Sequence, residues 1–184
     1  MVAGIRLRSR CSRLAGCALL WSGCSLSAGP AFTRPARSDS SIATGASVEA
    51  LLQLPRSYQT VAGIESTRSR TPSDVWRFGM FYGYTTLPTA SGRLAWEVTA
   101  RGGLLGAVSE PSASPGGFAG ARVAMLVRLG EMSEPWQADS PFVARYFIVA
   151  DAGVNGLARS ASSPEAEFSS RLLFRILLSS ALLP

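Results

Sequence analysis

The carboxylates are the side chains with which this chain could carry out acid–base chemistry, because its 184 residues include no histidine. Without histidine, the serine–histidine and cysteine–histidine nucleophile pairs and the commonest metal ligand are excluded. A glycosidase-like site needs only two carboxyl groups about 5 to 10 Å apart. The candidates are Glu97, Glu110, Glu131, Glu134, Asp139 and Asp151. Their spacing selects no pair, so a carboxylate hydrolase is the least favoured alternative for the function of this chain. We expect no enzymatic activity, no cofactor and no metal site.

One aromatic residue is a candidate for binding a partner. Trp136 lies in a polar segment beside Glu134 and Gln137. An exposed tryptophan is typical of binding surfaces, because its large ring is costly to leave in water without a partner. The alternative is that the ring folds back over the end of a barrel.

The first 24 residues have the order of an export signal. An arginine-rich stretch ends at Arg13, an apolar run occupies residues 14–21, and residues 22–24 are small. This apolar run is too short to cross a membrane as a helix, which needs about 20 residues. We therefore expect residues 1–23 to be a signal peptide that is removed.

The sequence Trp21-Ser22-Gly23-Cys24 resembles the lipobox of bacterial prolipoproteins, in which two small residues precede a cysteine. The resemblance implies that Cys24 is diacylated and becomes the first residue of the mature chain. Trp21 departs from the leucine that is usual at its position. All three cysteines of the chain lie within these 24 residues, so a chain cut before Cys24 has no intramolecular disulfide. A plain secretory signal and a mitochondrial transit peptide are the alternatives.

The excess positive charge lies at the N terminus. Residues 1–38 contain six arginines and no acid, whereas from Asp39 onward twelve arginines balance twelve carboxylates. A nucleic-acid-binding domain carries its excess charge on the folded body, where the charge neutralises phosphates. We therefore expect no nucleic-acid partner.

The remainder of the chain divides into three segments. Residues 24–46 are rich in Ser, Ala, Gly and Pro, which is the composition of a flexible tether. Ser47, Glu49 and the apolar residues before Pro55 indicate a short capped helix or linker over residues 47–58. From residue 59 to residue 184 the sequence alternates with a period of two, which is the spacing of β-strands.

This β domain contains five alternating runs joined by turn-rich segments. The runs are residues 75–84, 94–101, 121–129, 142–151 and 167–178. They predict an all-β antiparallel meander that forms a small barrel or sandwich. Folding of two runs near Gly102 and Ala152 would raise the number of strands toward eight. The last run also fits a helix that starts at Ser163-Pro164-Glu165, so strand and helix both remain open there.

One face of these runs is apolar and aromatic, and the other is charged. The charged face carries Arg77, Arg101, Arg122, Arg128, Arg145, Arg171 and Arg175, with Glu97, Asp151 and Glu167. In a lipid-anchored sandwich or barrel the apolar face is the core and the arginines meet water. In an outer-membrane barrel the apolar face meets lipid and the charges line the lumen. A period of two fits both arrangements. Connections of similar length and the absence of a terminal aromatic residue favour the lipid-anchored sandwich or barrel with an apolar core.

The sequence therefore predicts an exported, Cys24-anchored protein of the bacterial cell envelope, on either face of the outer membrane. Its β domain is expected to act as a non-catalytic binding or structural module. The expected partners are the membrane and an envelope component that the sequence does not identify. An integral outer-membrane β-barrel is the alternative.

Overall fold

The chain folds into a closed barrel of eight antiparallel strands that pair in chain order. The computed structural model describes residues 23–36, 41–53, 59–70, 75–86, 92–107, 116–133, 142–159 and 162–180. The strands are β1 (Cys24–Pro35), β2 (Ala43–Gln53), β3 (Thr60–Ser69), β4 (Val75–Thr85), β5 (Leu94–Ala107), β6 (Gly116–Ser133), β7 (Phe142–Arg159) and β8 (Ser162–Ser180). The predicted all-β meander is confirmed, and its C-terminal segment is a strand. Among the residues described, no helix is long and apolar enough to cross a lipid bilayer.

The register of the strands fixes their tilt. Following paired residues from Ser25 across all eight strands leads back to β1 at Pro35, an offset of 35 − 25, or ten residues. Eight strands with this offset tilt by about 40° from the barrel axis. We call the end at which β1 begins and β8 ends the terminal end, and the opposite end the loop end.

The barrel begins earlier in the chain than the sequence predicted. The prediction of a flexible tether over residues 24–46 is wrong, because β1 and the start of β2 lie there. The helix or linker over residues 47–58 is wrong for residues 47–53, which complete β2. In addition, β5 and β7 run straight through Gly102 and Ala152. The total of eight strands therefore includes β1 and β2, and neither of the two later runs is divided into two strands.

The outer face of the barrel is apolar and the inner face is polar. In β4, Met80 and Tyr82 are 68% and 60% exposed, whereas Phe81 between them is 3% exposed. The same alternation continues around the barrel, with large apolar side chains outside and Ser, Thr, Glu and Arg side chains buried inside. A sheet that closes on itself satisfies the hydrogen bonds of its own edges. Along the described strands, it is therefore the outer side chains that meet the surroundings.

Inward-facing glycines give the strands room to curve tightly. A Cβ atom added to Gly63 would lie 2.3 Å from the carbonyl oxygen of Ala50 and 2.4 Å from the ring of Phe81. In contrast, a Cβ atom added to Gly130 would have nothing within 4 Å. Gly130 lies beside a β-bulge of β6 and pairs with the outward-facing Tyr146, so it serves as a control position that has room for a side chain.

We expect Gly63→Ala to lower the free energy of unfolding by about 1–3 kcal/mol, because the backbone of β2 and a buried ring must both shift. Gly130→Ala should change the free energy by less than about 0.5 kcal/mol. Urea titration of the folded protein, followed by tryptophan fluorescence, measures both values. Equal effects of the two substitutions would show that close packing at Gly63 does not limit the fold.

Candidate functional site

The lumen contains a network of five arginines and five carboxylates. Its members are Arg77, Arg101, Arg122, Arg171, Arg175, Glu49, Glu65, Glu97, Asp151 and Glu167. Every strand from β2 to β8 contributes at least one of them, because inward positions of all these strands converge on a narrow lumen. The formal charges cancel, which is the condition for keeping ten charged groups away from water.

Arg122 lies at the centre of this network and is 2% exposed. Its Nε donates to the hydroxyl of Thr99 at 3.2 Å, and its guanidinium carbon lies 4.9 Å from the centroid of the Phe81 ring. The carboxylates around it are those of Glu49 at 2.9 Å, Glu97 at 3.3 Å, Glu65 at 3.5 Å and Asp151 at 3.6 Å. Arg122 therefore joins the acids of four different strands.

Glu49 is the carboxylate that the arginines share. It accepts hydrogen bonds from Arg122 at 2.9 Å, from Arg171 at 3.0 Å and from Arg175, and the hydroxyl of Ser27 donates to it at 3.2 Å. Charge-assisted bonds of this kind are about twice as strong as neutral ones. Because Ser27 belongs to β1 and two of the arginines to β8, Glu49 of β2 links the strands on both sides of the seam that closes the barrel.

A second group of polar contacts extends toward the loop end. Arg101 donates to Asn155 at 2.9 Å and to Ser169 at 2.5 Å. Arg77 and Glu167 form an ion pair at 2.6 Å. The polar cavity beside these residues has a volume of about 20 Å³, which is room for about one water molecule. This part of the lumen is therefore filled by side chains.

Apolar clusters flank the ion-pair network along the barrel axis. Toward the terminal end lie Ala95, Ala124, Leu126, Phe147, Val149, Leu173 and Leu177. Toward the loop end lie Val75, Leu105, Phe118 and Leu157. An eight-stranded barrel is just wide enough for side chains to fill. Over the residues described, the lumen is a packed core and not an aqueous channel.

The outer wall carries two groups of aromatic side chains separated by aliphatic ones. Near the terminal end lie Tyr82, Tyr84, Trp96 and Tyr146, and near the loop end lie Phe32, Trp76, Phe78 and Phe168. Ile64, Met80 and Val123 lie between them and are all exposed. Two aromatic girdles around an apolar band are typical of transmembrane β-barrels.

The structure corrects the orientation that the sequence favoured. The aromatic face lies outside and the arginine face inside, which is the arrangement of the alternative, an outer-membrane barrel. The physical reason is that the arginines meet carboxylates across the lumen, including Glu49 and Glu65, which lie outside the five alternating runs. Counted with these acids, the five arginines of the central network face five carboxylates, so this network is balanced and can be buried.

The three candidate catalytic carboxylates that the structure describes, Glu97, Glu131 and Asp151, do not come together around an open cleft. Asp151 accepts from Arg171 at 2.9 Å and Glu97 from Arg175 at 2.8 Å, and all four side chains are buried in the network. Glu131 is exposed near the terminal end and pairs with Arg145 at 3.0 Å. The candidates that lie outside the described residues are Glu110, Glu134, Asp139 and Trp136. Among the residues described, no three His, Cys, Asp or Glu side chains are grouped to hold a metal ion.

Cys24, the predicted lipid attachment residue, is the first residue of β1. Its side chain is partly exposed and lines an apolar groove of about 630 Å³ on the outer wall, together with Leu26, Ile64 and Leu178. An acyl group on Cys24 would therefore lie against the apolar wall of the barrel. Diacylation of Cys24 and removal of residues 1–23 stay predictions.

Comparison with known proteins finds a similar fold among solved structures. No protein-family model matches the sequence, and no curated protein is similar to it. The crystal structure of Neisserial surface protein A (NspA) matches with a TM-score of 0.52 and 12% identity, covering 86% of this chain and 96% of NspA. At this identity the likeness establishes a shared fold: the chain is a small β-barrel of the kind seen in NspA.

Proposed function

We propose that this chain is an integral β-barrel of a bacterial outer membrane that acts as a closed, membrane-embedded platform and not as a channel. The observation that carries the proposal is the inverted barrel, with apolar side chains outside and paired charges inside. The fold shared with NspA, which its name describes as a surface protein, supports the same location. A closed barrel also satisfies all backbone hydrogen bonds within itself, as a membrane-spanning protein must.

The apolar wall favours lipid over water as its surroundings. Leu26, Met80 and Leu104, on three different strands, are each at least 65% exposed. Exposed apolar surface on this scale goes well beyond the isolated patches of soluble monomers. The strands are also long enough, because β3, the shortest, has ten residues and a tilted membrane strand needs about 9–11.

The filled lumen restricts what such a barrel does. With Arg122, Leu126 and Val149 each no more than 2% exposed, solutes have no path along the described part of the axis. The segments between the strands are then the parts of the chain that can reach a partner in the cell envelope. Trp136, in the connection between β6 and β7, stays a candidate for such a contact.

Two measurements test this function together. In detergent micelles the folded protein should migrate differently on an SDS gel before and after boiling, because the closed sheet resists the detergent until heated. In planar bilayers the folded protein should give no unitary conductance. A steady ion current at the same protein density would contradict the closed lumen, and a chain that remains soluble and folded without detergent would contradict membrane insertion.

We also propose, from the lipobox resemblance, that Cys24 carries a lipid. The supporting observation is that Cys24 faces the groove on the outer wall at the terminal end. The intact mass of protein purified from its host should show loss of residues 1–23 and gain of a diacylglyceryl group. A mass that corresponds to an unmodified Cys24 would contradict this proposal and leave the barrel unaffected.

A further inference from the structure

A second groove on the outer wall lies at the loop end, across the seam between β1 and β8. It has a volume of about 260 Å³, and its lining includes Phe32, Arg34, Ala152, Phe168 and Ser170. The register places Phe32 opposite Ser170 and Ser170 opposite Ala152. Two small outward side chains therefore form the floor of the groove, and two phenylalanines stand at its sides.

The edge of this groove that is nearest the loop end carries a positively charged side chain. Arg34 is exposed on the outer face, one residue before the end of β1, and it pairs with Phe168 across the seam. Arg68, on β3, is also exposed on the outer face near the loop end, but it does not line the groove. Both arginines thus lie at the margin of the apolar band. The larger groove beside Cys24 has no arginine among its described lining residues.

We propose that the loop-end groove binds one anionic phospholipid, with a net negative headgroup, of the surrounding leaflet. One acyl chain lies over Ser170 and Ala152, between Phe32 and Phe168, and Arg34 binds the lipid phosphate. Arginine is suited to this role because its guanidinium matches phosphate geometry with two parallel hydrogen bonds. The inference rests on the proposed function, since it requires the outer wall to lie in a membrane.

Several physical features favour a lipid as the occupant. The groove opens on the apolar band, so the molecules that meet it in a membrane are acyl chains. A cationic side chain at the margin of that band lies at the depth of the lipid headgroups, where it keeps its charge hydrated while its stem covers apolar surface. The arginine at the loop-end edge of the groove matches the phosphate headgroup of an anionic lipid, and the narrow apolar floor matches its acyl chain.

The test is retention of lipid by the folded barrel. Protein is reconstituted in vesicles with equal amounts of phosphatidylcholine and phosphatidylglycerol, extracted in mild detergent and examined by native mass spectrometry. We expect one retained phosphatidylglycerol per barrel in preference to phosphatidylcholine. Arg34→Gln should weaken this retention by about tenfold, because a charge-assisted bond to phosphate is lost. Ser170→Leu, which fills the groove, should reduce retention of both lipids at this site.

Matched controls separate this site from general effects. Arg93→Gln removes an exposed arginine near the terminal end, and Ala100→Leu enlarges an outward residue on the opposite wall, and both should retain lipid as the wild type does. Adding inorganic phosphate should not displace the lipid. Equal retention of the two lipids, unchanged retention by Arg34→Gln, or displacement by phosphate would overturn the proposal. Each variant is first checked for the heat-dependent gel shift, so failure of the barrel itself is seen separately.

Discussion

Arg122→Met is expected to lower the free energy of unfolding by about 3–5 kcal/mol. The substitution keeps an apolar stem of similar length but removes the arginine that, within the described network, contacts all four of the carboxylates of Glu49, Glu65, Glu97 and Asp151. Breaking a buried ion pair from one side is strongly destabilising because the remaining charge is left without compensation. Urea titration of the barrel in vesicles, followed by tryptophan fluorescence, measures the loss.

The matched control is Arg145→Met near the terminal end. Arg145 pairs with Glu131 at 3.0 Å, but the Glu131 side chain is 41% exposed, so water replaces the lost partner. We expect a loss of no more than about 1 kcal/mol. Equal losses for the two methionine variants would contradict the view that the central network holds the barrel together.

A second variant tests whether charge imbalance is the cause. In Arg122→Met combined with Glu49→Gln, one carboxylate is neutralised together with the cation that it faces. The double variant should lose less stability than the sum of the two single variants, because the two residues belong to one network. Simple additivity would indicate that Arg122 acts through its packing against Phe81 and not through charge.

Met80→Arg is expected to cost about 2–4 kcal/mol when the barrel is folded in a lipid bilayer. Met80 is the middle residue of β4 and is 68% exposed on the outer wall, so the new charge would lie near the centre of the hydrocarbon region. A lipid-facing arginine has this cost at the bilayer midplane and a cost of about 0–1 kcal/mol near the interfaces. Folding equilibria in vesicles at a series of urea concentrations give the value.

Thr44→Arg provides the comparison at another depth. Thr44 is also exposed on the outer face, but it is the second residue of β2 and lies near the loop end. We expect a cost of no more than about 1 kcal/mol there. If the two arginine variants were equally stable, the outer wall of β4 would be in contact with water, and the membrane assignment would be wrong.

The sequence was sufficient to predict the later strands. Over residues 75–84, bulky aromatic residues alternate with an arginine and glycines, and no helical face accommodates that order, whereas the last run, residues 167–178, also fitted a helix. The earliest strands were missed for a composition reason. Ser25 and Ser27, which face inward, alternate with Leu26 and Ala28, which face outward, but small residues are as frequent in linkers as in the wall of a narrow barrel. Strand β1 is therefore recognised through its pairing with β2 and β8.

The orientation of the two faces depended on residues far apart in the chain. A period of two is the same whether the apolar face is turned inward or outward. What decides it is that Glu49 and Glu65 meet Arg122 and Arg171 across the lumen. The sequence did contain a strand pattern here, because Ser47, Glu49 and Gln53 are two and four residues apart and so lie on one face of a strand. A run with Leu and Ala between these polar residues also fits the start of a helix.

The most direct test of the membrane assignment is to measure whether the outer wall contacts lipid or water. In a chain with Trp21→Phe and Trp136→Phe, fluorescence comes from Trp76 and Trp96, which are both exposed on the outer wall. In vesicles, lipids brominated along their acyl chains should quench this emission strongly, and acrylamide in the water should quench it weakly. Strong quenching by acrylamide with little effect of the brominated lipids would mean that the aromatic wall faces water, and the barrel would not be a membrane protein.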